Sequence, residues 1–110
     1  MRKKNYKGRC TKMKIGKAGI CRLYDDLQTA FVKVLEQRDD IASIQVNVPI
    51  ENTEYTTDFV CKKKDGDLMV RECVYRRLLL KPLTARNLDI SREYWKKRGV
   101  DDYGIVVEKE

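Results

Sequence analysis

Two acidic residues, Asp58 and Glu72, lie in the two arms of a predicted β-hairpin. Residues 55–63 and 67–76 are rich in Val, Thr, Phe and Tyr, and Asp65-Gly66 separates them, which is typical of two paired strands. Two carboxylates on neighbouring strands are ligands that hard cations such as Mg²⁺ accept. Water bound to such a cation is the nucleophile of metal-dependent phosphodiester hydrolysis. The pair could therefore hold a metal ion and cleave nucleic acid.

The length of the hairpin loop decides whether the two acids meet. If the loop has two residues, Asp58 lies opposite Cys73 and the carboxylates face apart. If it has three, residues 64–66, Asp58 lies opposite Glu72. Three-residue loops typically place a left-handed residue last, where Gly66 stands. We therefore favour the register that brings the acids together.

In that register the two carboxylates stand on an otherwise apolar face, with Cβ atoms about 5 Å apart. Like charges so placed repel, and burial strengthens the repulsion. A shared proton, a basic neighbour or a divalent cation must then compensate, unless the acids lie at the solvated rim of the sheet and bind nothing. The apolar residues that share this face are Val60, Leu68, Val70 and Val74.

The net charge of +7 is concentrated at the N-terminus. Residues 1–24 hold nine basic side chains and no acid, whereas the remaining residues hold 15 basic and 17 acidic ones. Such a segment binds a polyanion by releasing condensed counterions, although it could also be a solvated tail that aids solubility. The basic residues of the segment are Arg2, Lys3, Lys4, Lys7, Arg9, Lys12, Lys14, Lys17 and Arg22.

Arg76 and Arg77 follow the predicted acid site directly. Arginine can hold a phosphate through two parallel hydrogen bonds, so both residues are candidates for nucleic-acid binding. The alternative is an ordinary charged end of a strand.

The hairpin belongs to a longer alternation of helices and strands. Helical spacing of apolar residues predicts an amphipathic helix over residues 23–38, with Asp25 and Asp26 in its first turn. Residues 41–50 alternate as a strand. A second helix over residues 84–98 is expected to end at Gly99. The order predicts a mixed sheet with a helix on each face.

The two ends of the chain have their own predictions. Residues 1–19 are expected to form an irregular arm, because they are highly charged and punctuated by glycines. Residues 103–108 predict a final strand, and the apolar run Ile105-Val106-Val107 predicts that both of its faces are buried.

Several classes of protein are excluded by composition. At 110 residues the chain has room for one domain, and it contains no histidine, which excludes Ser-His and Cys-His nucleophilic mechanisms. Its four cysteines form no CxxC pair, so a structural zinc site is not expected. We expect the cysteines to be buried thiols of a protein in a reducing compartment. No run of about 18 apolar residues could span a membrane and no signal peptide is visible, which together predict a soluble cytoplasmic protein.

The acid-bearing hairpin resembles a known nuclease signature. Thr57-Asp58-Phe59, a hairpin and then Glu72-Cys73-Val74 are similar to the PD…(D/E)xK motif of restriction-endonuclease-like nucleases. Flanking stretches extend the resemblance over nearly the whole chain to the nuclease domain of the TnsA family of transposase endonuclease subunits. These stretches are residues 12–16, residues 27–36, Leu88-Asp89-Ile90-Ser91-Arg92-Glu93-Tyr94-Trp95, Arg98-Gly99-Val100 and Tyr103-Gly104-Ile105-Val106.

The resemblance implies a fold and a division of the chain. It implies an α/β, restriction-endonuclease-like domain over residues 23–110, with a mixed β-sheet flanked by helices, and a basic N-terminal arm over residues 1–22. The family's larger C-terminal partner-binding domain has no counterpart in this sequence, which implies a stand-alone form or the nuclease half.

The resemblance also implies a catalytic site, of which this chain keeps a part. The family uses an acid on the first helix, the aspartate before the hairpin, an acid or glutamine on the next strand and a lysine two residues later. Asp58 and Glu72 match as metal ligands and catalytic residues, and the helix position is Gln28, which could orient a metal-bound water. A shift of the alignment would put Asp25 or Asp26 there instead.

The lysine position of the motif is Val74. An isopropyl group can neither orient nor activate a water. Lys62, which lies on the Asp58 face in the favoured register, is a candidate for a migrated base.

These observations lead to three functional hypotheses. The first is a DNA-processing nuclease of a mobile-element system, using Mg²⁺ or Mn²⁺ and working with a partner transposase subunit. The second is a nuclease fold that has lost catalysis and binds DNA or a partner protein. The third is a small basic RNA-binding module in which the hairpin acids are incidental.

Overall fold

The structure, a computed structural model, describes residues 10–109. In chain order the elements are β1 (Thr11–Ile15), β2 (Gly19–Leu23), α1 (Asp26–Glu36), β3 (Ile41–Pro49), β4 (Thr56–Lys63), β5 (Leu68–Cys73), α2 (Pro82–Lys97) and β6 (Asp102–Val106). A short 3₁₀ turn, Arg76–Leu78, connects β5 to α2.

A four-stranded mixed sheet with the order β3-β4-β5-β6 forms the centre of the fold. Strands β3, β4 and β5 run antiparallel, and β6 returns parallel to β5. Alternate residues of a strand point to opposite faces, so Phe59 packs in one apolar cluster with Leu35 of α1, while Val60 packs in another with Trp95 of α2. The predicted mixed sheet flanked by helices is confirmed, and the architecture is compatible with a restriction-endonuclease-like fold.

The hairpin between β4 and β5 has the three-residue loop that we favoured. The backbone N–H of Lys63 donates to the carbonyl of Asp67 at 2.8 Å, and Lys62 pairs with Leu68. Gly66 adopts φ +97°, a conformation that L side chains rarely adopt. Its position as the last loop residue fixes the register of the two strands.

Helix α1 begins later than expected because Leu23 belongs to β2. Asp25 is the N-cap, and its Oδ1 accepts from the backbone N–H of Gln28 at 2.8 Å. Asp26 lies in the first turn of the helix, where its negative charge interacts favourably with the helix dipole. Asp25 therefore closes the N-terminal end of α1.

The irregular arm predicted for residues 1–19 is wrong over its described part. Strands β1 and β2 pair antiparallel as a second hairpin, whose inward side chains Ile15, Cys21 and Leu23 are buried against α1. Charged and apolar residues alternate in Lys12, Met13, Lys14 and Ile15, and this two-residue period is typical of a strand. The prediction of an irregular arm gave more weight to the high charge of the segment than to this alternation. Residues 1–9 of the expected arm lie outside the described residues.

The last strand is less buried than its sequence predicted. Among residues 10–109, β6 pairs with β5 alone and forms an edge of the sheet. Ile105 is 39% exposed and Val106 is half-buried. An apolar run alone does not indicate a central strand, because the position in the sheet depends on the connection through α2.

Helix α2 ends as predicted at Gly99. Gly99 has φ +83°, and its N–H donates to the carbonyl of Lys96. The N–H of Val100 donates to the carbonyl of Trp95. These two bonds form a Schellman motif, and Val100 and Trp95 are both buried in one apolar cluster. The indole N–H of Trp95 donates to Thr57 Oγ1 at 2.9 Å, so Trp95 packs against the sheet.

The cysteines behave as small apolar residues. Cys21, Cys61 and Cys73 are buried, whereas Cys10 is exposed. Burial raises the pKa of the Cys61 thiol to about 11, so that thiol stays protonated and unreactive at neutral pH. Among residues 10–109, the structure contains no helix that is both long and apolar enough to cross a membrane.

Candidate functional site

Strands β4 and β5 part at the two acids. The last pair of the ladder is Phe59 with Arg71, and one residue further on Asp58 faces Glu72. Here side chains supply the bonds between the strands. The backbone N–H of Asp58 donates to Glu72 Oε1 at 3.0 Å, and that of Cys73 donates to Asp58 Oδ2 at 2.6 Å. The structure thus brings together the two acids that the register predicted to meet.

Gln28 of α1 joins this pair from one face of the sheet. Its Nε2 donates to Asp58 Oδ1 at 2.9 Å and to Asn47 Oδ1 at 2.6 Å, while its Oε1 accepts from the N–H of Tyr24 at 2.9 Å. A backbone N–H can only donate, so the amide oxygen must face Tyr24 and the NH₂ group must face Asp58. Gln28 therefore lies beside Asp58 and acts as a hydrogen-bond donor to it.

Asn47 is a member of the site that the sequence did not reveal. It lies opposite Asp58, between the flanking pairs Val46–Phe59 and Val48–Thr57. It has φ 55°, which asparagine tolerates better than most residues, and its Nδ2 donates to the carbonyl of Arg22 at 2.7 Å. An asparagine inside a Val-rich strand, where it is disfavoured, was the signal available in the sequence.

Glu72 is held from the opposite face by α2. The hydroxyl of Ser91 donates to Glu72 Oε2 at 2.5 Å, and Tyr55 hydrogen-bonds the same carboxylate. Burial, and then the charges of Glu72 and Asp58, raise the pKa of Tyr55 far above its ordinary value, so its phenol remains a proton donor. The network therefore links the two helices through the open end of the sheet.

The acid pair is fully enclosed by protein. Asp58, Glu72, Gln28 and Ser91 are all 0% exposed. Each of the four carboxylate oxygens accepts a hydrogen bond from a backbone or side-chain donor. Buried carboxylates are stable only when such donors or charges compensate them, so these contacts hold the pair together as it stands.

This arrangement does not fit a bound Mg²⁺ or Mn²⁺. Gln28 presents NH₂ to Asp58, where a cation would require an oxygen ligand. Among the described residues no group of three or more His, Cys, Asp or Glu side chains could hold a metal ion. Val74, at the lysine position, is only 3% exposed. The expected metal therefore remains a prediction that would require these side chains to rearrange.

The structure does not bring Lys62 to the acids. Lys62 is exposed near the loop end of β4, four residues from Asp58. At about 3.3 Å per strand residue, this separation is about 13 Å along the strand, and a lysine side chain cannot bridge it to activate a water between the acids. Sharing a face in the predicted register did not imply proximity.

The outer face of the β1–β2 hairpin is basic. Lys12 pairs directly with Arg22, and Lys14 pairs with Ile20, which is 75% exposed. Like charges directly opposite each other on a strand pair are destabilising, so an anion on this face would relieve repulsion. Lys17 contributes nothing there, because its Nζ donates to the carbonyl of Arg38 and supports the fold.

Arg76 and Arg77 lie in the 3₁₀ turn directly beyond the acid-bearing end of β5. The backbone N–H of Arg76 donates to Glu108 Oε1, and its Nε donates to the carbonyl of Glu108 at 3.0 Å. The guanidinium of Arg77 stacks on the ring of Tyr75, 4.9 Å from its centroid. Glu108 therefore holds Arg76 in place, and the exposed, stacked Arg77 is the better placed of the two to contact a phosphate.

An open groove of about 990 Å³ runs between the basic hairpin and β3. Arg22, Tyr24, Asn47 and Tyr55 are among its lining residues. Asn47 and Tyr55 also hydrogen-bond the acid network, through Gln28 and Glu72 respectively. The groove therefore connects the basic surface to the layer of side chains that covers the acids.

Comparisons with known proteins leave the family of the chain open. No protein-family model matches the sequence, and no curated protein matches it either. The likeness to TnsA therefore rests on the motif residues and flanking stretches alone.

Proposed function

We propose that this chain is a DNA-binding domain built on a nuclease-type core similar to that of TnsA. The domain holds the phosphates of DNA on the outer face of its β1–β2 hairpin. The observation that carries the proposal is the direct pairing of Lys12 with Arg22 on that face, next to Lys14. A protein that neutralises phosphates in this way gains binding free energy from counterion release. The five basic residues among residues 1–9 add charge of the same sign.

The position of the acid pair supports the nuclease-type part of the proposal. The two acids that match the nuclease motif, Asp58 and Glu72, lie together where β4 and β5 part. The groove lined by Arg22 and Asn47 leads from the basic face toward that end of the sheet. Because protein donors occupy all four carboxylate oxygens, the geometry favours binding over hydrolysis.

Removing charge from the hairpin tests DNA binding. The double variant Lys12→Gln/Arg22→Gln should bind a 20-base-pair duplex about 60-fold more weakly at 0.1 M salt, because each lost phosphate contact costs about eightfold there. The slope of log affinity against log salt concentration should fall by about 1.8, since each contact contributes about 0.9. Fluorescence anisotropy at several salt concentrations measures both quantities.

The matched control is Lys33→Gln/Lys64→Gln, which removes the same charge from two exposed residues outside the hairpin. It should leave the slope nearly unchanged. Equal slopes for the two double variants would show that only net charge matters and would refute the hairpin surface. A duplex RNA competitor that displaces DNA at equal concentration would favour the RNA-binding hypothesis.

Metal-dependent DNA hydrolysis is the second candidate, and the convergence of Asp58 and Glu72 favours it. We expect no nicking of supercoiled DNA by the wild-type chain with Mg²⁺ or Mn²⁺ at protein concentrations that saturate binding, because the described contacts already satisfy both acids. Gel electrophoresis of the plasmid measures this. Nicking that requires a divalent cation and disappears in Glu72→Gln would instead establish a hydrolase.

A further inference from the structure

The segment between β5 and the middle of α2 exposes an unusual amount of apolar surface. Leu80 is 94% exposed and Leu83 is 67% exposed. None of the large apolar side chains in residues 78–90 is buried. Exposed apolar side chains that lie close together mark interaction sites in folded proteins. Leu80 and Leu83 are exposed, and Leu78, Leu79, Leu88 and Ile90 are half-buried.

The cause is the way α2 lies on the sheet. The helix has 16 residues, about 24 Å in length, yet its only buried side chains are Ser91 and Trp95, both in its C-terminal half. The N-terminal half has no buried residue with which to anchor itself. Leu80 lies just before the helix and Leu83 lies in its first turn, and both side chains are mostly exposed. We call Leu80 and Leu83 the leucine surface.

Basic side chains predominate around the leucine surface. Arg77, Lys81 and Arg86 are exposed, and Arg86 lies one turn from Leu83 on α2, whereas Arg76 is bound to Glu108. Asp89 is the one acid in residues 76–90, and it stands six residues from Leu83, on a different side of the helix. An apolar strip with a basic rim is complementary to an apolar strip with an acidic rim.

We propose that the leucine surface binds an acidic amphipathic segment of a partner protein, which would make this domain a DNA-binding unit recruited through a separate surface. A second copy of the same surface would place basic rims against each other. A DNA backbone would satisfy the arginines but would leave Leu80 and Leu83 against a polar, charged surface. An amphipathic helix with acidic residues beside its apolar stripe satisfies both features. The inference stands independently of DNA binding by the β1–β2 hairpin.

A peptide selection tests this proposal on the full chain. A phage-displayed library of random 16-residue peptides is selected against the immobilised protein, and enriched sequences are synthesised. We expect a net negative charge and apolar residues spaced three and four apart. Leu80→Ser/Leu83→Ser should weaken their binding at least tenfold, and Lys81→Gln/Arg86→Gln should weaken it more at low salt than at high salt. Isothermal titration calorimetry measures each dissociation constant.

The matched control is Val34→Ser/Leu68→Ser, which removes two exposed apolar side chains from other surfaces and should leave peptide binding unchanged. All of these positions are exposed, so circular dichroism should show folded protein throughout. Failure to enrich peptides, enrichment of neutral or basic peptides, or equal binding by Leu80→Ser/Leu83→Ser would overturn the proposal. A loss of DNA affinity in that variant would assign the surface to DNA, and a loss of dimer in light scattering would assign it to self-association. Either result would also overturn the proposal.

Discussion

Asp58→Asn should lower the free energy of unfolding by about 2–3 kcal/mol, whereas Glu72→Gln should cost less than about 1 kcal/mol, although each change replaces one buried carboxylate by its amide. The difference follows from the donors that surround each acid. Around Asp58 the donors are fixed, and around Glu72 some of them can turn into acceptors. The two variants therefore distinguish a network with a fixed direction of hydrogen bonds from a generic pair of buried charges.

Asp58 receives hydrogen bonds that cannot be reversed. The N–H of Cys73 can only donate to Oδ2, and the NH₂ group of Gln28 faces Oδ1 because the N–H of Tyr24 fixes the amide oxygen on the other side. In Asp58→Asn the new NH₂ group must therefore meet one of two donors. A buried donor without an acceptor costs about 1–3 kcal/mol, and crowding two donors adds to that cost.

Glu72 has partners that adapt. The N–H of Asp58 fixes Oε1 as an acceptor, but Ser91 and Tyr55 bond the carboxylate through hydroxyl groups. A hydroxyl can rotate and accept a hydrogen bond, so the NH₂ group of Glu72→Gln finds an acceptor in Ser91. The amide and the carboxylate have nearly the same shape, and packing should be preserved.

Thermal and urea unfolding followed by circular dichroism measure both variants. For a domain of this size, 2–3 kcal/mol corresponds to a fall in Tm of roughly 10 °C or more. Equal losses in the two single variants would contradict the fixed direction of the network.

The meeting of the two acids could be predicted because it depends on local rules. The length of the loop and the place of Gly66 in it set the register, and the register alone puts Asp58 opposite Glu72. The end of α2 at Gly99 follows in the same way from the need for a left-handed residue after a helix. Each of these features is encoded within a few residues of sequence.

The partners of the acids could not be predicted, because they come from distant parts of the chain. Ser91 reaches Glu72 from α2, and Asn47 reaches Gln28 from β3, through the packing of whole elements. The same packing decides that β6 is an edge strand and that Lys62 lies far from Asp58. The sequence was therefore enough to predict that the two acids lie close together. The donors that enclose them could be identified only in the assembled fold.

Removing residues 1–9 should weaken binding to a 20-base-pair duplex by about 500-fold at 0.1 M salt, if three of the five basic residues deleted contact phosphates at about eightfold each. The salt slope should fall by about 2.7 for the same reason. The change removes none of the described strands or helices, since β1 begins at Thr11. Anisotropy titrations across salt concentrations measure the affinity, and circular dichroism checks that the shortened chain stays folded.

A longer deletion, of residues 1–17, would not test the contribution of the basic segment, because it would also disrupt the fold. It removes β1, which leaves β2 unpaired, and it deletes Ile15, which is 6% exposed, together with the bond from Lys17 to the carbonyl of Arg38. Loss of a buried isoleucine alone costs about 2–5 kcal/mol, so reduced DNA binding would then report unfolding. A chain that begins at residue 10 separates the two causes. If it binds DNA with the salt slope of the full chain while Lys12→Gln/Arg22→Gln does not, the phosphate contacts belong to the hairpin alone.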